Sequence, residues 1–283
     1  MKHKIEYCLL YLYSIKKEEL KIQQGPTLCS KMKIMKTEYN IIQKDIYRDS
    51  KRIYGQLYVP DSDSFPLAIF CHGLGGVHEG SRDFAEFLSR NNIAVYIFDF
   101  MGGSYESKSY GKTTEMSVLT EAADLECVID ELKKDERITR IFLAGKSQGA
   151  YVSTIVASRR PEEIAGLIGL YPGFVLYESI IEEMKKYDEI PETMELLWLK
   201  VGSIYIRDIL KDDIYELMKL YPGKVFLIHG DQDELVTMES VEKAMNCFPD
   251  ARLTVLKGAK HGFHGPEREE VLKMVLSFIH HNS

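Results

Sequence analysis

The sequence predicts an α/β fold with a doubly wound, mostly parallel sheet and a helical cap inserted between two of the strands. Two observations lead to this prediction. Short, almost wholly apolar segments rich in Val, Ile, Leu and Phe recur along the chain, and amphipathic stretches of helical length separate them. Continuously apolar strands indicate a sheet buried on both faces, as in parallel sheets whose strands are joined by helices.

The first two strands of the folded region are expected over 37–45 and 51–60, with a turn between them. The stretch before them has no clear period and ends in the lysine-rich KMKIMK. We therefore expect residues 1–34 to form a poorly ordered N-terminal extension and residues 35–283 to form one α/β domain.

Three apolar runs of strand length follow, namely LAIFC at 67–71, IAVYIFDF at 93–100 and RIFLAG at 140–145. Their length and composition are typical of buried strands. The amphipathic stretches between them predict helices over about 81–90 and 115–134. This alternation of strand and helix is the pattern of a parallel sheet.

The second half of the chain repeats the alternation. A helix is expected to start at Gln148, a second covers about 237–247, and a closing helix begins near Pro266. The strands that separate these helices are expected at the apolar runs IAGLIGLY (164–171), KVFLIHG (224–230) and ARLTVLK (251–257).

The segment 173–222 interrupts this order, because it separates two strands that a short crossover would otherwise join. Long connections are usually functional, so we expect a largely helical cap, with a helical excursion of no binding role as the alternative. Ligand sites in open α/β sheets lie beyond the carboxyl ends of the strands, where this segment begins. Trp198, the only tryptophan, is therefore expected to line the site, with a core position as the alternative.

The composition excludes several classes of protein. With 45% hydrophobic and 28% charged residues in a chain of 283, a large core is possible and disorder throughout is excluded. The formal net charge of −7 offers no broad positive field to nucleic acid. No stretch approaches the roughly 20 apolar residues of a membrane span.

The cysteines and the N-terminus bear on location. Five widely spaced cysteines without a CxxC pair predict free thiols, which suits a reducing compartment. Glu6 interrupts the short apolar run near the start, and no small-residue cleavage site follows, so a secretory signal is not expected. The prediction is a cytoplasmic protein.

A G-x-S-x-G pattern, GKSQG at 145–149, lies between a predicted buried strand and a predicted helix. This context, more than the bare pattern, predicts a nucleophilic serine at Ser147 on a tight turn. Such a turn imposes strained backbone angles on the serine and leaves little room two residues to either side, which accounts for Gly145 and Gly149. A helix N-cap is the alternative role for Ser147.

A serine hydroxyl needs an adjacent base, and the base needs an acid that orients it. His261 follows the last predicted strand and is the expected base, with His264 in the same loop as the alternative. His229 lies inside an apolar strand and is expected to be structural. The acid should follow the preceding strand, where spacing alone does not separate Asp231 from Asp233.

The HGLGG run at 72–76 stands at the end of a predicted strand, where this type of fold supplies donors for an oxyanion. Acyl transfer places negative charge on a carbonyl oxygen, and two backbone N–H groups must already point at it. The amides of Leu74 and Gln148 are the expected pair. A glycine turn chosen only for flexibility is the alternative.

The motifs HGLGG, GKSQG, GDQD and KHGF occur in the order and context of the α/β-hydrolase superfamily, which the chain resembles from about residue 50 onward. The stretches FCHGLGG and IFDFMGGSYESKSYG and the insertion before GDQD resemble the bacterial carboxylesterases that include cinnamoyl (feruloyl) esterases. This resemblance implies the α/β-hydrolase fold, an acid at Asp233 and an oxyanion amide at Leu74. The chain departs from the family at Lys260, where glycine is common, and at Met101-Gly102-Gly103.

We therefore expect a serine hydrolase that cleaves carboxylic esters through an acyl-enzyme, with Ser147, His261 and Asp233 as the triad. The resemblance implies hydroxycinnamoyl-type esters. No metal or organic cofactor is expected, and the partner is a small-molecule ester, with a homodimer allowed. The alternatives are a serine peptidase, thioesterase or lactone hydrolase of the same fold, or a non-catalytic ligand-binding protein on this scaffold.

Overall fold

The computed structural model describes residues 37–283, so the expected N-terminal extension over residues 1–34 lies outside the described residues. The strands are β1 (Tyr39–Gln43), β2 (Ile46–Arg48), β3 (Lys51–Ile53), β4 (Gly55–Pro60), β5 (Phe65–Cys71), β6 (Ala94–Phe98), β7 (Ile138–Lys146), β8 (Ile164–Leu170), β9 (Thr193–Leu196), β10 (Leu199–Gly202), β11 (Lys224–Gly230) and β12 (Ala251–Leu256). The α-helices are α1 (Arg82–Ser89), α2 (Val118–Leu132), α3 (Gln148–Arg159), α4 (Leu176–Met184), α5 (Ser203–Ile209), α6 (Ile214–Met218), α7 (Met238–Cys247) and α8 (Gly265–His281).

The main sheet has eight strands in the order β1-β4-β6-β5-β7-β8-β11-β12. Neighbours from β6 to β12 pair in parallel, while β4 is antiparallel to both β1 and β6. The chain goes outward from β5 to β6 and then returns to β7 on the other side of β5. The carboxyl ends of β5 and β7 therefore meet at the point where the winding reverses, which is where open α/β sheets hold their sites.

The two faces of the sheet carry separate cores, because successive side chains on a strand point to opposite sides. On β5, Leu67, Ile69 and Cys71 pack with residues of α2 and α3, whereas Ala68 and Phe70 pack with residues of α1 and α8. Helices thus cover both faces, and the predicted doubly wound α/β class is confirmed.

The N-terminal strands are more divided than expected. The segment predicted as two strands contains four, because β2 and β3 form a hairpin of their own beside the sheet. Its turn is made by Asp49 and Ser50, whose φ angles are 52° and 63°. Left-handed backbone at both turn residues is what a tight two-residue hairpin requires, and Asp accepts it more readily than most residues.

The insertion between β8 and β11 contains the expected helices α4, α5 and α6, and also a β9–β10 hairpin that we did not predict. Leu197 and Trp198 form its turn, and the φ of Leu197 is 57°. The hairpin is attached to the loop after β6, because the Lys200 N–H donates to the Tyr105 hydroxyl at 3.0 Å and the Thr113 hydroxyl donates to the Lys200 carbonyl at 2.6 Å. Its turn is thereby held over the carboxyl edge of the sheet.

No helix within residues 37–283 is long and apolar enough to cross a bilayer.

Candidate active site

Ser147 lies on the turn between β7 and α3, with φ of 50° and ψ of −120°. This strained conformation is held in part by a hydrogen bond of 3.0 Å from the Ser147 N–H to the Leu170 carbonyl. A Cβ on Gly149 would lie 2.2 Å from the carbonyl oxygen of Cys71, so only glycine fits there. The Ser147 side chain makes no cap hydrogen bond to α3, which argues against the N-cap alternative.

His261 and Asp233 are joined by a hydrogen bond of 2.8 Å between Nδ1 and Oδ2. The second oxygen of Asp233 accepts hydrogen bonds from the Leu235 and Val236 N–H groups, at 2.9 Å each. Because both carboxylate oxygens are engaged, Asp233 is fixed in the orientation that faces the imidazole. The structure thus brings together the candidate base and one of the two candidate acids.

The alternative residues lie elsewhere. Asp231 accepts a hydrogen bond from the Gly258 N–H at 2.7 Å and does not contact the imidazole of the candidate base. His264 is the exposed residue that precedes α8. His229 is buried in β11 with its Nε2 3.1 Å from the Val236 carbonyl, in keeping with a structural role.

The charge state of Asp233 suits an orienting acid. Burial alone would raise its pKa, but the hydrogen bonds from His261 and from the Val236 and Leu235 amides outweigh burial and lower the pKa below its usual value. An ionised carboxylate at this position fixes the imidazole with its proton on Nδ1, which leaves Nε2 to accept a proton.

Tyr171, at the end of β8, supports the imidazole from the side. Its ring meets the His261 ring edge-on at 4.8 Å between centroids and meets Phe263 at 5.1 Å. Tyr171 has a φ of 39°, an unusual value for a residue with a side chain, and its N–H donates to the Ile228 carbonyl at 2.8 Å. The bent backbone places the ring between the base and the aromatic residue behind it.

Ser147 and His261 line the same cavity, but no hydrogen bond joins them in this structure. A catalytic hydrogen bond of this kind is often long in the absence of substrate and tightens when the substrate binds. The arrangement therefore has the candidate nucleophile and the candidate base on one surface, with the imidazole already oriented.

The amide of Gln148 is oriented by its own peptide bond. The Ser147 carbonyl accepts hydrogen bonds from the Ala150 N–H at 3.0 Å and the Gly173 N–H at 2.9 Å. Because a trans peptide is planar, holding the carbonyl directs the attached Gln148 N–H to the opposite side. That N–H has no acceptor among the described residues, so it can receive an oxyanion.

The amide of Leu74 is held in the same way. The Gly73 carbonyl accepts hydrogen bonds from the Gly76 N–H at 2.9 Å and from Nδ1 of His72 at 2.8 Å. Nε2 of His72 accepts the Phe100 N–H at 3.0 Å, so the ring proton must lie on Nδ1. Burial lowers the pKa of His72, which keeps the ring neutral. His72 therefore orients the second expected oxyanion donor.

A cavity of about 440 Å³ opens above Ser147 and His261. Its walls are largely apolar, and no Asp or Glu is among its described lining residues. The apolar side chains come from the loop after β5, the start of α4, the β9–β10 turn and the loop after β11, namely Leu74, Val77, Val175, Leu176, Leu197, Trp198, Leu235 and Val236.

Trp198 stands at the rim of this cavity. It is 61% exposed, so it does not occupy the core position that we held as the alternative. Its indole Nε1 would lie only 2.5 Å from a Cβ placed on Gly75, which shows how closely the ring rests on the HGLGG loop. Gly75 also has a φ of 68°, so glycine is required there on two grounds.

One group of described residues could offer three ligand atoms to a metal ion, since these atoms lie within 4.8 Å of one another: His78, Glu79 and Asp99. Both oxygens of Asp99 already accept backbone N–H groups, from His78 at 2.7 Å and from Lys108 at 2.9 Å. Glu79 pairs with the Lys108 ammonium at 2.7 Å. We therefore interpret the group as the means by which Asp99 holds two loops together.

Four residues of the site were not anticipated as such: His72 and Tyr171, described above, and Glu121 and Tyr205, which contact the Gln148 side chain. His72 was visible within the HGLGG motif, although its role depends on a ring tautomer. Glu121 and Tyr205 belong to amphipathic helical segments, and no spacing relates them to residue 148.

Comparisons with known proteins support the α/β-hydrolase fold. A sequence profile of the family described as serine aminopeptidase, S33, matches residues 64–200. The structure of Est1E from Butyrivibrio proteoclasticus with bound ferulic acid aligns at a TM-score of 0.78 and 25% identity, covering 84% of this chain and 98% of that chain. An esterase of Pyrococcus furiosus, Pf2001, aligns at a TM-score of 0.63 and 25% identity, covering 87% and 90%.

A monoacylglycerol lipase of Paleococcus ferrophilus aligns at a TM-score of 0.63 and 20% identity, covering 82% of this chain and 99% of that chain, and supports the fold alone. No curated protein matches the sequence.

Proposed function

The chain is a carboxylic ester hydrolase with the α/β-hydrolase fold, and from that premise we propose that it works as a serine esterase with Ser147 as nucleophile, His261 as base and Asp233 as orienting acid. The observation that carries the proposal is the 2.8 Å hydrogen bond between His261 and Asp233 on the cavity that also contains the strained Ser147.

In the proposed reaction, Oγ of Ser147 attacks the ester carbonyl while Nε2 of His261 takes its proton. The carbonyl oxygen becomes an oxyanion, and the N–H groups of Leu74 and Gln148 receive it. The tetrahedral intermediate collapses to an acyl-enzyme as His261 gives its proton to the leaving alcohol. Water, activated by His261, then attacks the acyl carbon and restores the serine, while Asp233 stays ionised throughout.

An aminopeptidase is the second candidate, because the matching family profile carries that description. An aminopeptidase must hold the free ammonium group of its substrate, which calls for carboxylates in the pocket. The described walls of this cavity contain none, and the buried amino group of Lys146, whose pKa is lowered well below its usual value by burial, borders it instead. The lack of a carboxylate among the described lining residues therefore favours a neutral ester over a peptide with a free N-terminus.

Ester and peptide activity can be compared directly. We expect the protein to hydrolyse p-nitrophenyl acetate and butyrate, while the p-nitroanilides of alanine and leucine give no turnover above background. A fluorophosphonate probe should label the protein in proportion to the activity it removes. Preferential cleavage of the anilides would replace the esterase proposal with the peptidase one.

We further propose that the acyl group is aromatic, of the hydroxycinnamoyl type, with Trp198 as one wall of its subsite. The apolar cavity and the exposed indole at its rim support this specificity, as does the likeness to a protein solved with ferulic acid. An aromatic acyl group can stack on an indole that is already positioned, whereas an acetyl group is too small to reach it.

The Trp198→Ala variant should lower kcat/KM for methyl ferulate by roughly threefold to tenfold, which is the value of one aromatic contact. The kcat/KM for p-nitrophenyl acetate should stay within about twofold. Tyr187→Ala is the matched control, since Tyr187 is also an exposed aromatic residue of the insertion but does not line the cavity. An equal loss on both substrates with a lower Tm would assign Trp198 to the packing of the insertion.

We also propose a cytoplasmic location, supported by the free thiols of Cys71, Cys127 and Cys247. Cys71 is buried, whereas Cys127 and Cys247 are partly exposed. A homodimer stays a prediction, and light scattering across a concentration series would test it.

A further inference from the structure

The side chain of Gln148 forms hydrogen bonds with two other side chains beneath the proposed oxyanion hole. Its amide nitrogen Nε2 donates to Oε2 of Glu121 at 2.8 Å, and its oxygen Oε1 accepts the Tyr205 hydroxyl at 2.6 Å. Glu121 comes from α2 and Tyr205 from α5, and both are buried. The residue that carries one oxyanion amide is thereby held by two elements besides its own helix.

Glu121 also lies beside the other half of the hole. A Cβ on Gly103 would lie 3.2 Å from Oε1 of Glu121 and 2.9 Å from Cε1 of His72, so the carboxyl and the imidazole that orients Leu74 are close neighbours. Glu121 is only 1% exposed, and its Oε1 has no hydrogen-bond partner among the described residues. Within residues 37–283, no cation pairs with this carboxyl.

We propose that Glu121 is a positioning residue for the oxyanion hole, whose buried carboxyl holds Gln148 in place and must be uncharged for the hole to work. This inference rests on the proposed function, because it assigns a task to a group beneath the proposed site. Glu121 does not touch the substrate and acts through Gln148.

The reason lies in the electrostatics of the hole. The hydrogen bond from Gln148 can form with a neutral or an ionised carboxyl oxygen and is stronger to the ionised one, so positioning alone does not call for an uncharged carboxyl. A negative charge buried beside the Gln148 side chain and near His72, however, opposes the negative charge that develops on the substrate oxygen. Burial raises the pKa of Glu121 to about 8, against the lowering effect of the Gln148 hydrogen bond, and the nearby Asp124 raises it further. The hole is therefore competent at neutral pH and impaired in alkali.

The neighbouring groups do not titrate in the same range. Burial raises the pKa of Asp124, on the same helix, to about 6, and the pKa of Cys71, at the end of β5, to about 12. Burial also raises the pKa of Tyr205 on α5 and lowers that of His72. A change in activity near pH 8 that depends on Glu121 is therefore distinguishable from the titration of each of these four groups.

The test compares wild type, Glu121→Gln and Glu121→Ala between pH 6 and 10. We measure kcat and KM for p-nitrophenyl acetate and, separately, the rate of fluorophosphonate labelling. Wild type should lose about tenfold in kcat as the pH rises through 8, because Glu121 becomes negatively charged and repels the negative charge that develops on the substrate oxygen in the transition state. Glu121→Gln keeps an acceptor for Gln148 without a charge, so its activity at pH 7 should be close to wild type and its alkaline decline should vanish.

Glu121→Ala removes the acceptor altogether. We expect kcat at pH 7 to fall about tenfold to hundredfold with KM nearly unchanged, somewhat less than the loss of a whole oxyanion donor. The same substitution in a Gln148→Ala background should cause little further loss, because both changes act through one interaction. Asp124→Asn is the matched control, a second buried carboxyl one turn along α2, and it should retain the alkaline decline.

Stability must be followed in parallel. The pKa of Glu121 in the folded chain lies above its ordinary value of 4.5, so its contribution to stability is complete below pH 4.5 and is lost as the pH rises through about 8. Glu121→Gln should therefore flatten the fall in Tm over that range, and activities are compared only where each variant is folded.

Three outcomes would overturn the proposal: an alkaline decline that persists in Glu121→Gln, a Glu121→Ala variant with full kcat, or additive losses in the double variant. If Glu121→Ala fails to fold, the pH profiles of wild type and Glu121→Gln decide alone. Fluorophosphonate labelling distinguishes a failure of this proposal from a failure of the proposed function. If the protein is labelled but cleaves no ester, the esterase proposal is refuted, and the labelling rates of the variants still test the role of Glu121. Absence of labelling in wild type would overturn both.

Discussion

The Ser147→Ala variant should lose turnover on the order of 10⁶-fold, the loss seen when the nucleophile of a serine triad is removed. It should also lose all fluorophosphonate labelling. The reason is chemical, because the remaining groups can orient an ester but cannot form an acyl-enzyme. Folding should be little changed, since the hydroxyl caps no helix and alanine can occupy the same strained turn, where φ is 50°.

Mass spectrometry of the labelled protein, steady-state kinetics and a thermal melt together measure these effects. Ser81→Ala is the matched control, because Ser81 is another serine that lines the cavity, although it is buried whereas Ser147 is partly exposed. It should label at the rate of wild type. A Ser147→Ala protein that still takes up the probe would mean that another residue is the nucleophile.

The Asp233→Asn variant should lose about 10⁴-fold in kcat, since an amide at this position stabilises the wrong imidazole tautomer. Asparagine keeps an oxygen for the Leu235 and Val236 amides, so the loop should retain its shape. The Asp231→Asn variant is the control, because Asp231 bonds to Gly258 and not to His261, and it should stay within about threefold of wild type. Comparable losses in the two variants would refute Asp233 as the acid.

Local motifs carried most of the sequence prediction, because G-x-S-x-G and HGLGG depend on backbone geometry that only certain residues permit. The choice between Asp231 and Asp233 was different. The spacing of residues along the sequence did not decide between the two acids, since both occupy the same short turn, and only the resemblance favoured Asp233. The structure brings Asp233 to the imidazole through a detail invisible in spacing, namely that one carboxylate oxygen bonds the turn and leaves the other for His261.

The β9–β10 hairpin could not be predicted from the sequence pattern, for a physical reason. Its strands have four residues each, which is too short for a period to emerge. Its turn, Leu197-Trp198, lacks the Asn-Gly or Asp-Gly pair that usually marks a tight hairpin. The hairpin is held instead by long-range hydrogen bonds to Tyr105 and Thr113, which tertiary structure alone supplies.

Glu121 and Tyr205 were missed for a related reason. Both occupy helices, where a buried polar residue looks like an ordinary interruption of an apolar face. Their meaning comes from a shared partner, Gln148, that lies 27 and 57 positions away along the chain. A single sequence carries no record of such a pairing.

The order of the strands also bears on how the enzyme acquires activity during folding. Cys71 of β5 pairs with Gly145 of β7, and this register brings the HGLGG loop beside the nucleophile. Strand pairings between residues so distant in sequence form slowly, because the entropy cost of closing a long loop precedes the favourable contacts of the pairing. His261 follows β12 at the far edge of the sheet, so a folding intermediate that has assembled only β5, β6 and β7 contains the proposed nucleophile but has not yet positioned the proposed base. Recovery of ester hydrolysis after dilution from denaturant should therefore lag behind the recovery of secondary structure, and catalysis becomes a reporter of the last step of sheet assembly.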